Sequence, residues 1–431
     1  MIKKLAHNLI IFMLLMMPAN LLDIFLRILY LYRSSSAYAI LIKLPFNKLI
    51  FCNCDFIKKY HILTYAESNF FKKHMIDEER YEQVRTPDVF GITKDNFLIL
   101  RKHEIAIYCF PNARIRAKSD IIKFGKYAFW EKANRPEFAQ NIPVDSDFIA
   151  IDKMSRDVVS FEEKNIRHFD SGFSLCGVHT NTWAHFIISY LPKLIALDEF
   201  NLGSKLSLFV PSKMLENNKD LIIFVLKNIN TKNEVEIVYV EDDEVIECAN
   251  LYYVNAIGFL CDHSTYVHPT SSSISNFGAK AVQRVASKIW STVLISKPRK
   301  LYIGRSAGRN LFNAILVEKY FVDNGFEIVH PHLMSLDEKI NTFGNATHIC
   351  GPVSSGFANM IFCKDKVKIL GFINFSRCFD PIFSGLCYAG GFKHDVMYLT
   401  GHEEVNNNVN NSYLIELDKI ISCCQDIKYF D

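Results

Sequence analysis

A chain of 431 residues is too long for one ordinary core and divides into two or three domains. With 49% hydrophobic and 22% charged residues it is globular, which excludes a disordered or fibrous class. A formal net charge of +3 excludes the footprint of a whole-chain nucleic-acid binder. The small surplus is uneven: the first 60 residues hold eight Lys or Arg against Asp23 and Asp55, so the remainder is net acidic. The twelve cysteines are scattered from Cys52 to Cys424, many inside apolar runs such as IAIYCF and ATHICG. Neither close pair, Cys52 with Cys54 or Cys423 with Cys424, has a second pair at zinc-ligand spacing. They read as reduced, structural thiols, which favours a cytosolic location.

Leu9 to Met17 is continuously apolar behind Lys3 and Lys4, and Pro18 and Asn20 interrupt it. The run is about half of the roughly 20 residues a spanning helix needs. Beyond it, Asn20, Asp23 and Arg27 recur at helical spacing along an otherwise apolar run to Leu29. One narrow polar stripe suits a helix lying in a membrane interface. With the basic surplus beside it, residues 1–33 are predicted to bind an anionic membrane surface from the cytoplasmic side. A core helix of the first domain and a type II signal anchor are the alternatives.

From about residue 45 to 130, short apolar runs alternate with charged turns, the pattern of strands with little helix. From about 170 the rhythm changes. HFIISYLPKLIALDEF reads as helical, KLSLFVP as a buried strand, DLIIFVLKNI as a helix, and VEIVYV and LYYVNAIGF as strands. Buried strands alternating with helices predict an α/β layer with a parallel sheet.

A second unit starts near Lys300. LYIGR, FEIVHP, THICG and VKILGF read as strands. Between them lie a helix ended by Gly325, a helix opened by the capping box Ser335–Glu338, and a helix starting at the SSG triplet. Four strands with three helices make a Rossmann-like half. The last helical stretch, SYLIELDKIISCCQDI, closes this unit or crosses back onto the first. The predicted architecture is α/β, with two Rossmann-like domains facing a cleft. Residues 1–35 form the membrane-associating helical segment, 36–290 the N-terminal domain with its strand-rich first part, and 291–431 the C-terminal domain.

In ICGPVSSGFAN a strand runs into Gly351 and Pro352, and Ser354, Ser355 and Gly356 open a helix. Small residues at a helix N-terminus expose amides and the positive end of the dipole, an anion site at the sheet edge where ligands bind. An ordinary turn with a serine N-cap is the plainer alternative. LYIGRSAGRN sets Arg305 at the carboxyl end of the unit's first strand and Arg309 in the following turn, facing the same edge. Guanidinium groups bind phosphate in two-pronged fashion. NTWAHFIISYLPKL places His185 one turn into an apolar helix. It is either a packed core residue or a cleft-facing imidazole that binds or deprotonates a hydroxyl. The acidic run from Glu241 to Glu244 lacks an acid-x-acid pattern in an apolar frame and reads as a solvated turn. No metal ligands and no cofactor are read from the sequence.

In this order, these blocks resemble glycosyltransferase family 61 over about residues 170–375. The anchors are His185 and Phe186 before Leu191 and Pro192, the acidic turn leading into LYYV, and Arg305, Arg309 and Asn313. GFEIVHPHLMSLDEKI and GPVSSGFANMIF complete the series. That family includes plant xylan-decorating transferases, eukaryotic secretory-pathway N-acetylglucosaminyltransferases, and bacterial capsule or O-antigen enzymes. The resemblance implies a GT-B-like fold, an inverting reaction without an essential metal, and a nucleoside-diphosphate sugar, first a UDP-sugar, in the C-terminal domain. It also implies a glycan or lipid-linked glycan acceptor in cell-surface polysaccharide synthesis. The residues carried over to donor binding are Arg305, Arg309, Asn313, Glu338, Gly351, Ser354, Ser355, Gly356 and Asn359. His185 and Asp262, in the loop CDHSTYVHP, are the candidates for the base or acceptor contact. The chain departs from the family pattern at Val353, Ser354 and Ser355, in place of His-Gly-Ala, and at Phe186, Ala314 and Lys339, in place of Trp, Glu and Gln. Pyruvyl or CMP-sugar transfer on the same architecture is one rival reading. A degenerate Rossmann pair that binds a glycan precursor or partner at the membrane is the other.

Overall fold

The computed structural model describes residues 57–64, 67, 70–93, 97–131, 150–152, 156–161, 163, 165–199, 205–228, 233–255, 257–259, 272–294, 296–305, 310–402 and 412–430. The membrane-binding segment 1–33, Asp262 and Arg309 lie outside these residues.

The first part of the chain is strands, as its short apolar runs predict. They are β1 (Ile57–Leu63), β2 (Lys72–Asp77), β3 (Arg80–Arg85), β4 (Asp88–Val89), β5 (Phe97–Lys102), β6 (Ile105–Arg116), β7 (Ile121–Phe124), β8 (Tyr127–Trp130), β9 (Ala150–Asp152) and β10 (Asp157–Phe161). The α/β rhythm then begins with β11 (Ile166–Ser174) and a composite helix. That helix is α1 (Trp183–His185), a π-helical turn at Phe186–Tyr190, α2 (Leu191–Ile195) and a 3₁₀ turn at Ala196–Glu199. There follow β12 (Lys205–Pro211), α3 (Glu216–Asn228), β13 (Glu234–Val240), β14 (Val245–Val254), the short pair β15 (Gly258–Phe259) and β16 (Ser273–Ile274), and α4 (Asn276–Trp290).

These strands build an eleven-stranded sheet in the order β13-β12-β11-β14-β6-β7-β8-β1-β10-β9, with β2 also on β6. Its first four strands are mutually parallel. Numbered by their sequence, they run 3-2-1-4, the order of a Rossmann-like half. The long strand β6 pairs antiparallel with β14 from Val245↔Arg116 to Val254↔Ile107, and so welds the strand-rich first part onto the parallel one.

The second unit contains β17 (Arg299–Ile303), α5 (Ala314–Asp323), β18 (Glu327–Val329), α6 (Leu336–Gly344), β19 (Ala346–Pro352), a 3₁₀ helix at Ser355–Phe362, β20 (Lys368–Asn374), α7 (Ile382–Gly390), β21 (Asp395–Gly401) and α8 (Leu417–Asp426). Its sheet is parallel throughout, in the order β18-β17-β19-β20-β21-β4. Five of its strands thus follow 2-1-3-4-5. The sixth, β4, comes from the first part of the chain and pairs Asp88 with Met397.

Local signals account for much of this. The capping box forms as read: Ser335 Oγ accepts from Glu338 N–H, and the Glu338 carboxylate accepts from Ser335 N–H at 2.8 Å. Gly325 follows α5 at a φ of 83°, the left-handed position that glycine adopts without strain. Two expectations need correction. The helix after the SSG triplet is 3₁₀ rather than α. The last helical stretch starts only at Leu417, because Tyr413 and Leu414 form isolated bridges to Leu311 and His402. The α8 helix closes its own sheet, where Ile420 and Cys424 pack with Phe321 and Phe372.

One apolar core runs through both units, joining Leu191 and Leu194 of α2 to Val285 of α4, Ile361 of the 3₁₀ helix and Ile369 of β20. Asn217 Nδ2 donates to Met334 O at 2.9 Å and Trp290 Nε1 to Ile361 O at 3.1 Å across the same junction. The cysteines among the described residues are free and almost all are buried. No helix among the described residues is long and apolar enough to cross a membrane.

Candidate functional site

In open α/β sheets, ligands sit outside the carboxyl ends of the strands, where the strand order reverses. In the second sheet the reversal falls between β17 and β19. Arg305 lies two residues past β17, and its Nη1 donates to Val353 O, just past β19, at 3.3 Å. Arg305 and the SSG turn therefore converge, as the sequence predicts. Burial pulls the Arg305 guanidinium below the ordinary arginine range, opposed by nearby Tyr413 and reinforced by the like charge of Arg377. A half-desolvated arginine beside a second guanidinium is a site that gains from an anion.

Two glycines make the convergence possible. A Cβ on Gly351, which has a φ of 130°, would lie 2.6 Å from Ile303 O. On Gly304 it would meet the His330 ring at 2.5 Å. In the turn, Ser354 Oγ accepts from Gly356 N–H at 3.3 Å, while Ser355 is exposed. Asn359 is fully buried behind the turn, with Nδ2 donating to Gly356 O at 2.8 Å. Asn313 Nδ2 donates to Ile415 O at 2.9 Å, tying the start of α5 to the segment before α8. Both asparagines brace the edge. Glu338 is exposed, and its carboxylate is engaged by Ser335 at the start of α6.

Arg377 was missed by the sequence reading. It stands just past β20 at the same edge, with Nη2 on Asp380 Oδ2 at 2.8 Å and Nε sealed without a partner. An arginine three residues past a buried strand is the signal that would have found it.

In the first sheet, the strand order reverses between β11 and β14. The loop leaving β11 carries His179, and α1 carries His185. Their rings stack at 4.5 Å, with 29° between planes. His185 is half-buried while its neighbours Trp183, Ala184 and Phe186 are buried, so its ring belongs to the loop rather than to the core. The loop is pinned. Asp120 Oδ1 accepts from Tyr190 Oη at 3.2 Å and from Val178 N–H at 3.3 Å, and Asn218 Nδ2 donates to Thr180 O at 2.8 Å. Behind His185 the helix widens to a π turn in which Leu191 N–H bonds Phe186 O rather than Ile187 O, and Pro192 follows with no N–H to offer Ile188 O. Such π turns are frequent at functional sites.

The two edges are linked by their helices: the Trp183 and Phe362 rings lie 6.1 Å apart, and Lys339 Nζ sits 4.2 Å over Trp183. The acidic turn is elsewhere. Asp242 Oδ2 pairs with Lys118 at 2.7 Å and Lys213 at 2.8 Å, and Glu244 pairs with Arg167 at 3.0 Å. This is the solvated turn that the sequence predicts, and the structure adds its ion pairs. No group of three or more His, Cys, Asp or Glu among the described residues has the geometry to hold a metal ion.

Compared with known families, residues 183–370 match the family model described as Glycosyltransferase 61. That interval contains His185, both sheet-edge segments after β17 and β19, and Lys339. No curated protein sequence matches the chain.

Proposed function

This chain is a glycosyltransferase of family 61 through residues 183–370, and on that premise we propose an inverting transfer from a nucleoside-diphosphate sugar to a glycan or lipid-linked glycan acceptor. The donor, first a UDP-sugar, takes the carboxyl edge of the second sheet, and the acceptor takes that of the first. The arrangement is read as GT-B, with residues 36–290 as the acceptor domain and 291–431 as the donor domain. An acceptor hydroxyl attacks the anomeric carbon and gives its proton to a base of the first domain, His185 or Asp262. The bond from that carbon to the diphosphate oxygen breaks at the same time. Arg305, Arg309 and the amides from Ser354 to Gly356 take up the charge gained by the leaving diphosphate. No metal is needed in this scheme. Residues 1–33 hold the enzyme at the cytoplasmic face of the membrane, where it serves the synthesis of a cell-surface polysaccharide.

The contact between Arg305 and the Val353 carbonyl at the strand-order reversal is the observation that carries this reading. Its test is thermal denaturation of the purified chain with UDP, GDP, CMP and their sugars, followed by the anomeric configuration of the product. Stabilisation by a nucleoside diphosphate and an inverted product are expected. Stabilisation by CMP alone, or a retained configuration, overturns the donor or the mechanism respectively.

A further inference from the structure

Four lysines among the described residues are buried: Lys102, Lys123, Lys193 and Lys339. Three of them meet an oxygen. Lys102 donates to Ser273 Oγ, Lys123 pairs with Glu163, and Lys193 donates to Tyr253 Oη at 3.1 Å. Lys339 meets none. It is 3% exposed, and neither a hydrogen bond nor an ion pair joins it to the described residues. Its Nζ lies 4.2 Å above the Trp183 ring. No charge among the described residues acts on it, and burial alone pushes its amine down from the usual 10.5 to about 8.

A buried cation without a counter-charge is costly, and a ring face offsets only part of that cost. The position explains what could complete it. Lys339 stands in the first turn of α6, on the flank of the edge that carries Arg305 and the SSG turn. Trp183 opens the helix that carries His185. Trp183 Nε1 is sealed and has no acceptor, which puts a second unfilled donor on the ring that Lys339 covers. Lys339 Nζ is not among the sealed, unpartnered atoms of the described residues, so the ammonium keeps a narrow opening to solvent. The neighbouring Ser355–Phe362 helix brings no ionisable side chain to it.

We propose that Lys339 is a substrate-binding residue whose ammonium, presented over Trp183 where the helix of His185 meets the second unit, pairs with an anionic oxygen group of a substrate. The inference rests on the donor and acceptor reading above. Two sources carry such a group: the diphosphate of the donor, or a phosphate or carboxylate on the acceptor sugar. A lysine that only packs its stem against Trp183 needs neither.

The test is calorimetric titration of the full chain at pH 8 in two buffers of different ionisation enthalpy. The probes are UDP, for the donor, and glucose 1-phosphate and glucuronate, for the acceptor. The proteins are wild type, Lys339→Met and Lys339→Arg. An anion seated on Lys339 holds its proton, so wild type takes up a fraction of a proton per ligand. Lys339→Met loses that uptake and binds the same probe about tenfold to a hundredfold more weakly. Lys339→Arg keeps most of the affinity without the uptake, because a guanidinium does not titrate there. Lys339-dependent uptake with UDP assigns the donor, and with the sugar acids alone it assigns the acceptor. If wild type binds UDP, but no probe shows uptake or affinity that depends on Lys339, the inference fails and the donor site stands. If wild type binds none of the probes, both fail. Uptake that persists in a folded Lys339→Arg protein belongs to another group and also overturns the inference.

Discussion

At the scale of single residues, the site depends on cationic groups withdrawn from solvent. Arg305 donates to the Val353 carbonyl and lies near a second arginine. If it contacts the leaving diphosphate, it counts for more in the transition state than in the bound donor. Arg305→Ala is therefore expected to lower kcat, and not merely to raise the donor KM, by about 2–4 kcal/mol or a hundredfold and more. Arg305→Lys recovers only part, since an ammonium lacks the two-pronged geometry. Normal turnover in Arg305→Ala, or an effect on melting alone, would end this assignment. Lys339 makes a prediction about stability. Its amine titrates near 8 when folded and near 10.5 when unfolded. Between these values the unfolded chain holds a proton that the folded chain has released, so this group adds stability as pH rises through the window. Below about pH 8 its burial costs on the order of 3 kcal/mol. Lys339→Met should thus melt above wild type at pH 7, and the gap should close towards pH 10.5. A constant gap across that range would show that charge is not the cause.

At the scale of elements, glycines set how closely two strands carry their ends together. Gly351 and Gly325 both have positive φ, yet they differ in what surrounds them. A Cβ on Gly351 runs into the Ile303 backbone, whereas on Gly325 it meets nothing within 4 Å. Gly325→Ala should cost on the order of 1 kcal/mol in melting and leave nucleotide binding untouched. Gly351→Ala must shift β17 against β19, and with it the Arg305 contact. It is expected to lose at least as much stability and to weaken UDP binding as well. Equal UDP affinities for the two variants would separate the strand packing from the site. The capping box offers a third comparison: Ser335→Ala removes a cap worth about 1 kcal/mol without touching the sheet edge. How much of the edge was legible follows from the same elements. Arg305 and the SSG turn could be placed because each ends a strong apolar strand. Arg377 ends one too, but only the 2-1-3-4-5 order puts β20 beside β19 and so brings Arg377 within reach of Arg305.

At the scale of the whole molecule, two predictions concern what the enzyme needs around it. Transfer should persist in excess EDTA, because arginines and amides are read as the groups that neutralise the diphosphate. Loss of activity restored by magnesium or manganese would overturn this. Deleting residues 1–33 should leave a folded protein that no longer pellets with anionic vesicles. If the full chain ignores such vesicles, or the deletion unfolds it, the segment is part of the core.

The sequence by itself determined the alternation of strands and helices, the capping box, the glycine end of α5 and the solvated character of the acidic turn. Each of these is set within a few residues by periodicity, side-chain hydrogen bonding or backbone freedom. It also carried the family blocks and the convergence of Arg305 with the SSG turn, because both sit at ends of adjacent buried strands. Only the tertiary structure decided that β6 welds the first strands onto a Rossmann-like sheet and that β4 extends the second. Strand pairing over such separations depends on which edges are left free, and no local pattern encodes that. The stacking of His179 on His185 and the isolation of Lys339 over Trp183 belong to the same class. A buried lysine and a paired one look alike in a sequence; what distinguishes them is whether an oxygen arrives from another element, and that is settled by packing.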